Sequence, residues 1–70
     1  MLNEASVYFE CGAKAARARN HKDMGMFQFQ NDWFNRAYKL EDGDENKRAA
    51  RKAFNAGYDS ECAFSMQSTL

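Results

Sequence analysis

Proline is absent from the 70-residue sequence, and glycine occurs only four times. Because these two residues interrupt helices most strongly, their scarcity favours helical segments. Cysteine occurs only twice, and Cys11 and Cys62 lie far apart, without a CxxC motif or a neighbouring histidine. Two cysteines permit one disulfide, but this spacing favours free, buried thiols in a reducing compartment and gives no support to a zinc site.

The sequence also lacks a long apolar run and an excess of charge of either sign. No run approaches the ~18 apolar residues that a membrane-spanning helix requires, and the N-terminus has no basic-then-apolar signal pattern. Both features predict a cytoplasmic protein with no membrane segment. Ten basic residues balance ten acidic ones, whereas a dedicated nucleic-acid-binding protein usually carries a basic excess, so nucleic acid is the less favoured partner.

What the sequence does contain is enough apolar and aromatic material for one small domain. Hydrophobic residues make up 44% and aromatic residues 14% of the chain, which argues against a wholly disordered protein. Helical periodicity predicts a single domain over residues 1–60, with helices at about 3–20, 23–41 and 44–59. Residues 61–70 have weak periodicity and are predicted to form a C-terminal tail, either docked or frayed.

The stretch MFQFQNDWFNRAYKL, residues 26–40, offers a choice between strand and helix. Phe27 and Phe29 alternate with glutamine as in a strand, but NDWFNRA breaks that alternation, and no second strand is available for pairing. On a helical wheel its apolar residues occupy one continuous sector, so the stretch is predicted to be helical. The predicted fold class is all-α: a small three-helix bundle made of a helical hairpin and a third helix. The first and third helices, lined by alanine and glycine, are expected to enclose the second.

The apolar sector of helix two is unusually broad. It spans roughly 220°, whereas a helix packed on one side needs only about 100°. One interpretation is that helix two is the central element of the bundle, buried on two sides. The other is that part of the sector is an exposed patch that docks another protein or a second copy, which would make a homodimer. Aromatic residues, methionine and arginine are enriched in interface cores. The candidate partner-binding residues are Met26, Phe29, Trp33 and Arg36.

A basic run in helix three offers an alternative function. Its members are Lys47, Arg48, Arg51 and Lys52. This surface could contact phosphates, as the basic helix of a helix-turn-helix protein does, or it could contact an acidic protein partner. The adjacent acidic segment EDGDE and the zero net charge favour a third interpretation, a solvated face without a ligand.

Motifs for catalysis and metal binding do not occur in the sequence. The carboxylates of the EDGDE segment do not have the ligand spacing of a calcium loop, which is about twelve residues long. Helix capping explains these carboxylates better. His21 lies in a turn without a cysteine or carboxylate at ligand spacing. No GxSxG, HExxH or P-loop pattern is present. The sequence therefore predicts no metal, no cofactor and no enzymatic activity.

Part of the chain resembles the helical hairpin of the tetratricopeptide family. Tyr8 and Gly12 resemble the aromatic and glycine positions of its first helix, and Phe34, Ala37 and Leu40 resemble the spacing late in its second. The hairpin is longer than the family's repeat of about 34 residues and lacks its terminal proline. The resemblance implies a protein-binding helical module.

In size, aromatic content and lack of motifs, the chain also resembles the small accessory proteins encoded by bacteriophages and other mobile elements. Such proteins commonly bind one host protein and inhibit or redirect it. We therefore expect a non-catalytic protein–protein interaction module, an inhibitor or adaptor that binds a host or cellular protein stoichiometrically. The alternative is a small nucleic-acid-binding helical protein that uses the basic face of helix three.

Overall fold

The computed structural model describes residues 4–68 of the chain, and the side chains of residues 5–62. It contains three α-helices in chain order: α1 (Glu4–Asn20), α2 (Met24–Leu40) and α3 (Gly43–Ser68). The described residues include no strand, and the three helices pack against one another. The prediction of an all-α three-helix bundle is confirmed, and the stretch beginning Phe-Gln-Phe-Gln is helical.

Hydrogen bonds from backbone groups and from one side chain cap the two helix ends at the turn between α1 and α2. Lys22 adopts a left-handed conformation with φ of 60°, which lets the amide of Asp23 donate to the carbonyl of Ala18 at 2.8 Å. The amide of Lys22 donates to the carbonyl of Arg19 at 3.0 Å. These two bonds satisfy the carbonyls of Ala18 and Arg19 near the end of α1. The Asp23 carboxylate then accepts a hydrogen bond from the amide of Met26 at 3.1 Å and so caps the start of α2.

The closest helix pair is α1 with α3. The backbone of α1 at Gly12 lies against the carbonyl of Phe54, and the backbone of α3 at Gly57 lies against the carbonyl of Phe9. A Cβ atom at either glycine would overlap that carbonyl oxygen, so only glycine permits this separation. Ala13 of α1 belongs to the same contact, since its amide nitrogen lies 3.1 Å from the position of a Cβ atom at Gly57.

The position of α2 differs from the expected one. The backbone of α2 runs closer to α1 than to α3, and α1 and α3 lie directly against each other, so the prediction that α1 and α3 enclose α2 is wrong. The close contact at Gly12 and Gly57 brings α1 and α3 directly together, which leaves α2 against one side of the pair. As a result, Phe34 is the one buried residue of α2, and much of its broad apolar sector is uncovered.

Three aromatic side chains, one from each helix, form the centre of the core. The ring of Phe34 lies 4.2 Å from that of Phe54, and the ring of Tyr8 meets Phe34 edge-on at 5.7 Å. The hydroxyl of Tyr8 donates to the carboxylate of Glu41, which follows α2. This cluster joins α1, α2 and α3 at one point, where aromatic pairs contribute beyond their buried area.

The third helix is longer than predicted. It continues to Ser68, past the predicted end near residue 59 and through most of the predicted tail. No proline or glycine follows Gly57 to stop the helix, and Arg17 pairs with Glu61 at 2.6 Å, which attaches this part of α3 to α1. Because the hydrophobic periodicity is weak after Tyr58, the sequence did not predict this extension.

Candidate functional site

More large hydrophobic side chains are exposed than buried among those described. Seven are exposed, whereas the only large buried ones are the core aromatics Tyr8, Phe34 and Phe54. Five of the seven lie along one side of the α1–α2 hairpin. They are Val7, Met26, Phe29, Trp33 and Leu40. We call this surface the hairpin face.

The hairpin face contains three shallow depressions. A central depression of about 260 Å³ is lined by Val7, Phe29 and Trp33. A second, of about 560 Å³, shares Val7 and Trp33 with the first and continues to Leu40. A third, of about 460 Å³, lies toward the opposite end and includes Met26. The three depressions adjoin and are open to solvent, so they form a groove suited to a helix rather than an enclosed small-molecule pocket.

The α2 side of the groove carries a heptad pattern. Residues 26, 29, 33, 36 and 40 are separated alternately by three and four positions, which is the a–d spacing of a coiled-coil seam. Four of the five are large and apolar, and the fifth is arginine. Phe29 and Leu40 of this seam are 57% and 85% exposed, so the described residues do not supply a helix that covers it.

Trp33 connects the groove to the core. Its ring lies 6.3 Å from that of Tyr8, and 37% of the residue is exposed, compared with 57% for Phe29. Trp33 therefore has a packing role as well as an exposed surface, whereas more than half of Phe29 is exposed to solvent. A substitution at Phe29 therefore distinguishes an effect on binding from an effect on folding better than a substitution at Trp33 does.

The four predicted partner-binding residues lie on the same side of α2. Met26, Phe29 and Trp33 line the groove, and the exposed Arg36 occupies the remaining seam position between Trp33 and Leu40. Sequence reasoning did not include Leu40, although its heptad spacing from Trp33 was a usable signal. It also missed Val7 of α1, because only the pairing of the two helices brings that residue to the groove.

The basic run of α3 is partly occupied by contacts within the domain. Lys47 donates hydrogen bonds to the carbonyls of Tyr38 at 3.1 Å and Lys39 at 3.3 Å, and so caps the end of α2. Its ammonium also lies 5.2 Å from the Tyr38 ring centre. The guanidinium of Arg51 lies 5.1 Å from Tyr38 and 5.4 Å from Phe34. Two of the four proposed phosphate-binding residues thus hold α3 against α2, which weakens the case for a nucleic-acid interface.

Replacing Lys47 with alanine is expected to lower the free energy of unfolding by about 1 kcal/mol, because two carbonyls at the end of α2 lose a charged donor. The matched control is Lys52→Ala, which removes an exposed lysine of the same helix and should change stability by less than about 0.5 kcal/mol. Urea unfolding followed by circular dichroism measures both values. Equal effects of the two substitutions would show that Lys47 has no capping role.

Both cysteines are free thiols. Cys11 is buried and donates to the backbone carbonyl of Gln30 at 3.4 Å and to its side-chain oxygen at 3.3 Å. Burial raises the pKa of Cys11 to about 11, and the nearby charge of Lys14 opposes this only in part. The thiol is therefore protonated at neutral pH, and it joins α1 to α2 rather than offering a nucleophile.

The described residues include neither a metal-binding cluster nor a membrane-spanning helix. No three histidine, cysteine, aspartate or glutamate side chains come together at metal-binding distance within this part of the chain. None of its helices combines the length and apolar character needed to cross a membrane. No family model matches the chain, and no curated protein or solved structure matches it either.

Proposed function

We propose that this protein is a non-catalytic protein–protein interaction module that binds its partner through the hairpin face. The supporting observation is the concentration of exposed apolar side chains in one groove of a domain whose own core is small. Large exposed apolar patches on soluble proteins mark interaction sites far more often than idle surface. The groove also has the shape that an amphipathic helix fills when it docks between two others.

Trp33 and Arg36 are the proposed anchors of this interaction. Tryptophan and arginine are the residue types that most often dominate binding energy, and both lie near the middle of the seam rather than at its rim. Phe29 and Leu40 flank them and would exclude water from the contact. A helix with apolar residues at three- and four-residue spacing would cover all four side chains together.

The proposed biological role is that of a small cytoplasmic inhibitor or adaptor. Stoichiometric binding needs only an interaction surface, and the resemblance to accessory proteins of mobile elements in size and aromatic content supports this role. In this proposal the partner is a host or cellular protein whose exposed helix or apolar ridge fits the groove.

An affinity capture experiment from nuclease-treated lysate tests this function. The native chain should retain a protein partner, and Phe29→Asp should lose it, because a carboxylate in the seam cannot be desolvated without a large cost. Met24→Asp is the matched control, since Met24 is equally exposed on α2 but does not line the groove. Arg48→Ala combined with Lys52→Ala should have no effect. Loss of all capture after nuclease treatment, or undiminished capture by Phe29→Asp, would contradict the proposal.

A further inference from the structure

We infer that, before a partner binds, the groove is filled by α2 of a second copy of this chain, running antiparallel to the first. This inference rests on the proposed function, since it names the occupant of the same surface in the free protein. The 17 residues of α2 extend for about 25 Å, which gives two copies a seam of two full heptads to share. The charges along α2 determine both the direction and the register of the pair.

The direction follows from Arg36. In a parallel pair each seam residue meets its own copy, so Arg36 would face the partner's Arg36 inside the contact, where like charges repel. In an antiparallel pair with a and d positions in register, Arg36 instead faces the partner's Trp33. A guanidinium over an indole ring is a favourable cation–π contact. The same arrangement places Phe29 against the partner's Leu40, whereas Met26 lies beyond the end of the partner's α2.

The register follows from Asp32 and Lys39, two exposed residues that lie seven positions apart along one edge of the seam. In the register that pairs Trp33 with the partner's Arg36, Asp32 faces the partner's Lys39. Because the dimer is symmetric, this ion pair forms twice. A shift by one heptad in one direction would bring Asp32 against the partner's Asp32, and a shift in the other would bring Lys39 against the partner's Lys39. Only one register therefore joins opposite charges at both edge positions.

These two edge residues are also available for such contacts. Within the described part of the chain, the two ion pairs are Lys14 with Glu10 and Arg17 with Glu61. Neither Asp32 nor Lys39 takes part in them, and both are exposed.

Sedimentation equilibrium of charge-reversed variants tests the inference. Asp32→Lys places two lysines opposite each other in both of these symmetry-related pairs, and Lys39→Asp places two aspartates there. Each variant alone should dissociate at about tenfold higher concentration than the native dimer or more. An equimolar mixture of the two restores both opposite-charge pairs. It should form a heterodimer with an affinity within about threefold of the native one.

Two controls make the result specific. Asp59→Lys and Lys52→Asp change the net charge equally at exposed positions of α3 and should leave the native dimer intact. A native chain that is monomeric up to about 1 mM, which corresponds to about 4 kcal/mol of binding energy, would overturn the inference. So would single reversals without effect, or a mixture no tighter than either variant alone. If the native chain is monomeric but Phe29→Asp still abolishes capture of another protein, the second-copy inference fails while the proposed function stands.

Discussion

Replacing Gly57 with alanine is expected to lower the free energy of unfolding by about 3 kcal/mol, at the upper end of the usual range for overpacked positions. A Cβ atom at this position would overlap the carbonyl oxygen of Phe9 and lie 3.1 Å from the amide nitrogen of Ala13. Both neighbours are backbone atoms, so no side-chain rotation relieves the overlap and α1 must move away from α3. In a domain of this length, such a loss lowers the midpoint of thermal unfolding by about 12–24 °C.

Gly25→Ala is the matched control for this prediction. Gly25 is also helical, but a Cβ there would meet only the Asp23 carboxylate oxygen at an ordinary 3.7 Å. Because alanine is the better helix former, Gly25→Ala should leave stability unchanged or raise it by up to about 1 kcal/mol. Thermal unfolding of both variants measures the contrast. If Gly57→Ala were as stable as Gly25→Ala, the close approach of α1 and α3 at that glycine would be disproved.

Phe34→Ala is expected to lower the free energy of unfolding by about 3–5 kcal/mol, the range for a fully buried phenylalanine. Phe34 is only 2% exposed, and its ring contacts those of Tyr8 and Phe54 at the point where all three helices meet. The guanidinium of Arg51 also lies over this ring. Removing the ring therefore opens a cavity and leaves Arg51 with one fewer aromatic contact.

Phe29→Ala makes the same chemical change on the same helix and should cost less than about 1 kcal/mol, because Phe29 is largely exposed. Urea unfolding at low protein concentration is the appropriate measurement for both variants, since self-association would raise the apparent stability of the native chain. Similar losses for the two substitutions would show that Phe29 belongs to the core, and would remove the basis for a binding surface.

The helices were predictable because their determinants are local. Apolar periodicity located all three, and it assigned the Phe-Gln-Phe-Gln stretch to a helix because the spacing of Trp33, Phe34 and Ala37 continues the same sector. The extent of α3 was less predictable. After Tyr58 few apolar residues mark a face, and the contact that joins this part of α3 to α1, from Arg17 to Glu61, spans most of the chain.

The location of the groove depended on packing that no single segment specifies. A sector of roughly 220° shows that α2 has more apolar surface than one neighbour covers, but it does not show which part is left open. That outcome depends on Gly12 and Gly57, which bring α1 and α3 together and displace α2 to one side. The contacts of Lys47 and Arg51 with α2 could not be predicted from the sequence either. A basic run has the same sequence pattern whether it caps a neighbouring helix or faces solvent.

Fluorescence of Trp33 is the most direct test that the hairpin face is a docking surface, because Trp33 is the only tryptophan in the sequence and lines the groove. Docking at this face predicts that acrylamide quenches Trp33 strongly in dilute protein. It also predicts that quenching weakens, and emission shifts to the blue, as the concentration of the chain or of a captured partner increases. Phe29→Asp should abolish both changes. Quenching and emission that stay constant in both titrations of the native chain would contradict docking at the hairpin face.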